Sequence, residues 1–401
     1  MTEPAPPVPT TSPAAVAAPI ELPPYTEAFR QRGRLVLMIL VGIIGVLGVA
    51  GGLFFATQSG DANGTGLSIL FALVPLPLLW LSYWWLDRYE PEPRRYLVAA
   101  FVWGGVVSVA LAIVAQILVE RWLDLDSSEM ASFVAPLTEE PAKGLFLLVV
   151  LLRARRVIDG MLDGLILSGV VGIGFAFVEN IGYYASSYLG SPDIELAGAE
   201  GVTTTFVVRG VVSPLAHPLF TSAFGIAIGL AVTRRSWLAK ISLGVGGMAI
   251  SILLHGLWNG SLSYGGGVGF VLVYLALAVI LAGVITVAIV VRMRQVRTLE
   301  RSLSYVAERG WIHPAEIPYL SRFSYRRTAR RFAVEHHGKT AGKVVTRYQR
   351  LATEMAFLHD RVMQGQRVPH GVERTYALLD AMHDLRPHLR LPPALMPFPR
   401  R

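Results

Sequence analysis

The chain contains no cysteine, which excludes disulfide frameworks, thiolate metal ligands and cysteine nucleophiles. It is also poor in charge: 16% of its 401 residues are charged against 53% hydrophobic, a balance too apolar for an ordinary soluble protein and fitting an integral membrane protein. Lysine is scarce, with four against 32 arginines, and one of the four, Lys143, lies inside a long apolar stretch. Several hydrolase patterns for apolar surroundings are missing too: there is no His-Glu-x-x-His, no Gly-x-Ser-Gly in a span and no Gly-x-Gly-Asp. Residues 1–29 hold eight prolines and no uninterrupted apolar core, hence no signal-peptide h-region, and read as a disordered cytoplasmic tail.

What is present is a succession of apolar runs of spanning length. They fall at 34–57, 65–86, 96–120, 131–152, 162–188, 203–232, 240–262 and 267–291, which predicts an all-α polytopic bundle of about eight transmembrane helices within residues 30–292. Every second connection is basic: Arg30, Arg32 and Arg34, then Arg88, Arg94 and Arg95, then Arg153, Arg155 and Arg156, then Arg234, Arg235 and Lys240. The alternate connections carry Asp61, Asp124, Asp126, Asp193, Glu195 and Glu200 against Arg121 alone. The positive-inside rule then places both termini in the cytoplasm.

Residues 293–401 form a third, basic region. From 292 onward 21 Lys/Arg stand against 9 Asp/Glu, a local charge of +12. Helical patterns cover about 298–309, 314–335 and 340–363, with Gly310, Gly338 and Gly365 as breaks. A basic helical region lying against anionic membrane lipid is the expectation. The charge also suits nucleic acid, but no recognition motif accompanies it and no nucleic-acid partner is expected. No internal repeat is evident, so an inverted-repeat transporter gains no support.

Ionisable groups inside spans are expensive, roughly 2.5–3.5 kcal/mol each at mid-bilayer, and tend to mark function. The fourth run reads Ala135-Pro136-Leu137-Thr138-Glu139-Glu140-Pro141-Ala142-Lys143-Gly144. On a helix Lys143 reaches Glu139 at i, i+4 and Glu140 at i, i+3, so one carboxylate can be neutralised while the other stays available. The fifth run carries Glu179-Asn180, the sixth His217-Pro218 with Gly225 eight residues on, and the seventh His255-Gly256-Leu257-Trp258-Asn259, which puts His255 and Asn259 on one face. Each has a plainer reading, as a buried ion triad, a helix-to-helix hydrogen bond, a satisfied core histidine or an interfacial tryptophan. Counted inward at about 1.5 Å per residue, however, all of them fall between the outer third and the midplane, where one hydrated cavity would hold them.

Hydrolysis of an amide needs a base beside the attacking water, an oxyanion donor and an acid for the leaving amine, and glutamates, histidines and an asparagine amide supply all three. Two histidines and a carboxylate with an open fourth position would serve equally as a catalytic zinc site. Spacing does not choose between zinc-bound water and metal-free, glutamate-activated water. A proton-linked carrier using the same groups, and a non-catalytic scaffold built around the basic region, are the alternatives.

Taken in order, Glu139-Glu140-x-x-Lys143, Phe175-x-x-x-Glu179-Asn180, His217-x7-Gly225 and His255-x-x-Trp258-Asn259 resemble the motif set of the PrsW family of bacterial membrane proteases, over roughly residues 65–265. That family sits with the CAAX-prenyl endopeptidase and bacteriocin-processing superfamily, whose Glu-Glu motif is paired with a downstream His-x-x-x-Asn. The resemblance implies an intramembrane metalloendopeptidase of the bacterial plasma membrane, acting in regulated intramembrane proteolysis. Its substrate would be a single-span, membrane-anchored regulatory protein such as an anti-sigma factor, cut near its extracytoplasmic side. By position it makes Glu139 and Glu140 the activating carboxylates with Lys143 beside them, His217 and His255 metal-binding or water-positioning imidazoles, Asn259 an oxyanion donor, and Glu179, with Asn180, a further ligand or orienting group. The implied Zn2+ ligands are Glu140, Glu179, His217 and His255. Oligomeric state is not legible in the sequence.

Overall fold

The computed structural model describes residues 62–89, 92–154, 157–190, 196–365 and 368–393. The expected tail at 1–29 and the first expected span at 34–57 lie outside the described residues. Those described form helices and connections, with no strand among them.

Among the described residues, six helices are long and apolar enough to cross a membrane: α1 (Asn63–Leu86), α2 (Arg94–Glu120), α4 (Met161–Leu189), α5 (Gly198–Val232), α6 (Trp237–Tyr264) and α7 (Gly266–Glu308). Between α2 and α4 lies α3 (Ala135–Ala154), preceded by a π-helical turn at Met130–Val134. That segment is the expected fourth span. It has the length to cross, but every stretch of spanning length within it contains Glu139, Glu140 and Lys143. The eight expected spans are therefore six in the described residues, plus α3, plus one outside them.

Helix α4 is the centre of the bundle. The apolar stretch of α4 is 83% buried, whereas that of α7 is 6% buried and faces outward. Glycines make the close approach of α4 to its neighbours feasible, and the contact at Gly172 decides where the site lies. A Cβ there would stand 2.8 Å from the Pro218 nitrogen and 2.9 Å from the His217 carbonyl carbon, so only a bare backbone lets α5 bring His217 against α4. Gly225 meets the side chain of Ser168 and the Gly164 carbonyl on α4 in the same manner.

Beyond the bundle, α7 runs on into a second hydrophobic core. Here α8 (Ile317–Ser321), α9 (Phe323–Met363) and α10 (Gly371–Leu385) pack on its last turns around Leu299, Leu303, Leu320, Met355 and Leu358. The glycines expected to break this region all adopt left-handed backbone, with φ of +77° at Gly310, +81° at Gly338 and +69° at Gly365. Three basic connections touch this body. Tyr89 joins its core, Asp159 pairs with Arg361, and Arg235 donates to the Gly365 carbonyl at 3.4 Å. The loops following α1, α3 and α5 thus share one face with the C-terminal helices.

Candidate active site

Helix α3 supplies the centre. Lys143 is fully buried, and its Nζ donates to Glu140 Oε1 at 2.8 Å and to Glu139 Oε2 at 3.3 Å, the i, i+3 and i, i+4 pairs anticipated from spacing. The same ammonium lies 3.2 Å from His217 Nδ1 and over the Phe175 ring at 3.7 Å. The α3 backbone is held from α2, where Trp103 Nε1 and Ser108 Oγ both donate to the Ala142 carbonyl, at 3.1 and 3.2 Å. Trp103 and Ser108 bound a π-helical turn, the kind of irregularity often found beside functional sites.

Glu140 has little coordinating capacity left. Oε1 meets His255 Nδ1 at 2.9 Å in addition to Lys143, and Oε2 accepts Ser251 Oγ at 2.9 Å and Thr221 Oγ1 at 3.1 Å. His255 stacks on Phe220, ring centroids 5.0 Å apart, which points its other nitrogen, Nε2, toward Glu139 Oε2 at 3.9 Å. The two imidazoles cross edge to face with centroids 5.2 Å apart.

Glu179 lies on the far side of His217, its Oε2 at 2.7 Å from Nε2, and also pairs with Arg209. Arg209 belongs to a π-helical turn at Val207–Val212, and its Nε donates to Asn180 Oδ1 at 2.6 Å. This pair forms the open edge of the cluster: the Glu179 and Arg209 side chains are 18% and 17% exposed, while those of Lys143 and Glu140 are sealed. Measured from the ends shared with the C-terminal body, Glu140, Glu179, His217 and His255 lie 14 to 18 residues along their helices, roughly 21–27 Å at ~1.5 Å per residue. The network is thus one layer, offset toward the opposite face.

The structure brings Glu139, Glu140, Lys143, Glu179, His217 and His255 into a single network, with Asn180 attached through Arg209. Asn259 is placed differently. Its amide donates to the Ala131 carbonyl at 2.8 Å, in the π-helical turn ahead of α3, so it fastens α6 to that turn. Among the described residues, one buried group of three could hold a metal ion. Ligand atoms of Glu139, His217 and His255 all lie within 4.8 Å of one another. Glu140 and Glu179 instead stand behind the two imidazoles, Glu140 Oε1 at His255 Nδ1 and Glu179 Oε2 at His217 Nε2.

Sequence reasoning did not find Arg209, Thr221 or Ser251. Arg209 carried a signal, a lone cation inside an apolar run one helix from an unpaired Glu179. The two hydroxyls carried none, since Ser and Thr in spans ordinarily bond their own helix backbone.

Residues 92–289 match the PrsW family intramembrane metalloprotease profile. Among curated proteins the chain is 32% identical over 202 residues to Protease PrsW of Clostridioides difficile (strain 630), covering 47% of this chain and 77% of that one. It is 26% identical over 196 residues to Protease PrsW of Geobacillus kaustophilus (strain HTA426), covering 48% and 78% respectively. Against Protease PrsW of Oceanobacillus iheyensis it is 27% identical over 195 residues, covering 48% and 82%. No solved structure matches the chain.

Proposed function

The chain belongs to the PrsW family of intramembrane proteases, and from that premise we propose that its peptidase centre is the buried set Glu139, His217 and His255, acting on a single-span membrane protein near the face opposite the C-terminal body. The observation that carries this reading is the convergence of those three ligand atoms within 4.8 Å from three different helices, with Glu140 bonded to the outer nitrogen of His255.

The residues fit a divalent metal in kind. Two imidazoles and a carboxylate make a hydrolytic donor set, and a carboxylate behind a ligating histidine is its usual support. Charge agrees: with ionised carboxylates and neutral imidazoles, Glu139, Glu140 and Glu179 outnumber Lys143 and Arg209 by one negative charge. Zn2+ held by Glu139, His217 and His255 would supply a polarised water at the open position. Lys143 Nζ now lies within reach of Glu139 and His217, and it is the group that such an ion would push back onto Glu140.

The protein's own groups divide the remaining work. Glu140 orients His255, Glu179 orients His217, and Arg209 locks Glu179 while leaving a cation at the exposed edge where a substrate carbonyl would enter. With the C-terminal body in the cytoplasm of a bacterial cell, this edge faces outward, which fits cleavage of an anti-sigma-factor-like regulator beyond its membrane anchor. A proton-linked carrier would need relay groups in the other half of the bilayer. On α3 to α6, among the described residues, that half offers Arg153, Asp163 and Lys240, all in terminal turns, and Asp163 caps its own helix by accepting Asp159 and Gly160 N–H.

The test is cleavage of a co-expressed single-span reporter together with metal analysis of the purified protein. Glu139→Gln and His255→Ala should insert normally and leave the reporter intact, and a chelator should abolish cleavage by the wild type with recovery on Zn2+ addition. Undiminished cleavage by both variants would refute the assignment.

A further inference from the structure

An apolar groove opens between α1 and α7, separate from the peptidase centre. Its volume is about 440 Å³, within the range of small-molecule sites. Leu81, Ser82 and Trp85 of α1 form one wall, Ile285 and Ile289 of α7 the other, and Pro218 of α5 lies at its inner end. Several of these residues are open to the outside, with Trp85 39% and Ile285 46% exposed, so the groove faces the bilayer.

At the end nearer the C-terminal body the apolar walls stop and a set of arginines begins. Arg88 is three residues beyond Trp85, and Arg292 three beyond Ile289. Arg88 lies over the Trp84 and Phe323 rings at 4.8 and 4.6 Å, and Arg292 over the Trp85 ring at 3.6 Å and the Tyr89 ring at 5.5 Å. Arg326 adds a third cation 6.0 Å from Phe323. Among the described residues none of Arg88, Arg292, Arg326 and Arg330 pairs with a carboxylate, and the buried Nε of Arg292 has no hydrogen-bond partner. Two acids among the described residues of this region are engaged elsewhere. Asp87 accepts the Glu92 N–H at 2.9 Å, and Glu300 is held by Arg322 at 2.8 Å. The crowding is felt electrostatically: Arg326 is held down to about 10 by burial and by Arg330 and Arg350, and Arg330 is lowered by burial, Arg327 and Arg88.

We propose that this is a binding site for an anionic phospholipid, its acyl chain lying in the groove between α1 and α7 and its phosphate held by Arg88 and Arg292. Uncompensated guanidinium groups at the interfacial end of an apolar slot match the two halves of such a lipid. The aromatic rings beneath the guanidiniums hold them at headgroup level.

Full-length protein purified in neutral detergent tests this, with palmitoyl-oleoyl phosphatidylglycerol, the corresponding phosphatidylcholine and inorganic phosphate as probes. Retention is read by native mass spectrometry and thermal shift. Phosphatidylglycerol should be retained at least tenfold over phosphatidylcholine. The Arg88→Gln/Arg292→Gln pair should abolish that preference, and Ser82→Trp, which fills the groove from an exposed position, should lower retention of the lipid independently. Equal retention of both lipids, or indifference to both variants, overturns the proposal. A shift produced by inorganic phosphate alone and untouched by Ser82→Trp assigns the arginines to a free anion and overturns it as well. Loss of reporter cleavage in Ser82→Trp with lipid retention intact would give the groove to a substrate helix instead.

Discussion

Glu140 Oε1 and His255 Nδ1 stand 2.9 Å apart, a hydrogen bond joining positions 115 residues distant in sequence. A carboxylate at Nδ1 fixes the imidazole tautomer, so the lone pair of Nε2 is turned toward Glu139 and His217. Glu140→Gln keeps the shape and an acceptor but removes the charge. Reporter cleavage should fall by roughly 10–100-fold, the range for losing an outer-shell partner of a ligating histidine. Because the change also removes the nearest carboxylate of the buried Lys143, the variant should melt below the wild type, and cleavage is compared at a temperature where both are folded; full activity would show that His255 needs no carboxylate behind it.

Lys143 is bonded to both Glu139 and Glu140, and it is completely buried. Lys143→Met therefore strands two carboxylates, and breaking a buried pair on one side destabilises by about 3–5 kcal/mol. Adding Glu140→Gln to Lys143→Met should recover part of that loss. Thermal melting of the two singles and the double in one detergent measures the coupling, and strict additivity would mean that the pair is not a unit.

Much of this site was legible because membrane sequences place few ionisable groups by chance. Glu139, Glu140, Lys143, Glu179, His217 and His255 could be picked out as anomalies in apolar runs, and the i, i+3 and i, i+4 geometry of Lys143 followed from helix periodicity alone. Their placement relative to one another was not legible. That Glu139 faces both imidazoles while Glu140 backs His255 depends on the rotation of α3 against α5 and α6, which adjacent residues cannot reveal. Asn259 shows the same limit, since its partner is a backbone carbonyl in a π-helical turn that no side-chain pattern announces. The fourth apolar run was readable as the helix α3 from its length, and the breaks at Gly310, Gly338 and Gly365 were readable because glycine is the residue that takes left-handed backbone at low cost.

The position of His217 depends on the missing side chain at Gly172. A Cβ would lie 2.8 Å from both the nitrogen and the Cα of Pro218, and backbone there has no rotamer with which to yield. Gly172→Val should push α5 off α4, with a stability loss of about 1–3 kcal/mol from overpacking. Displacement of His217 should lower cleavage far more than melting temperature. A Gly172→Val protein with wild-type cleavage would mean that His217 tolerates movement.

Outside the spanning segments, Asp87 gives stability a pH dependence. It is buried at the end of α1, and desolvation raises its carboxyl from 3.8 to about 7 against the opposing hydrogen bond from the Glu92 N–H. The folded state therefore holds this proton more tightly than the unfolded chain. Its stabilising contribution is complete below about pH 4 and disappears as pH rises through about 7, because in that window the unfolded chain binds fewer protons than the native one. Asp87→Asn keeps the acceptor for Glu92 and removes the titration. Relative to wild type its melting temperature should rise steadily from pH 4 to pH 8, and a difference independent of pH across that interval would show that Asp87 titrates alike in both states.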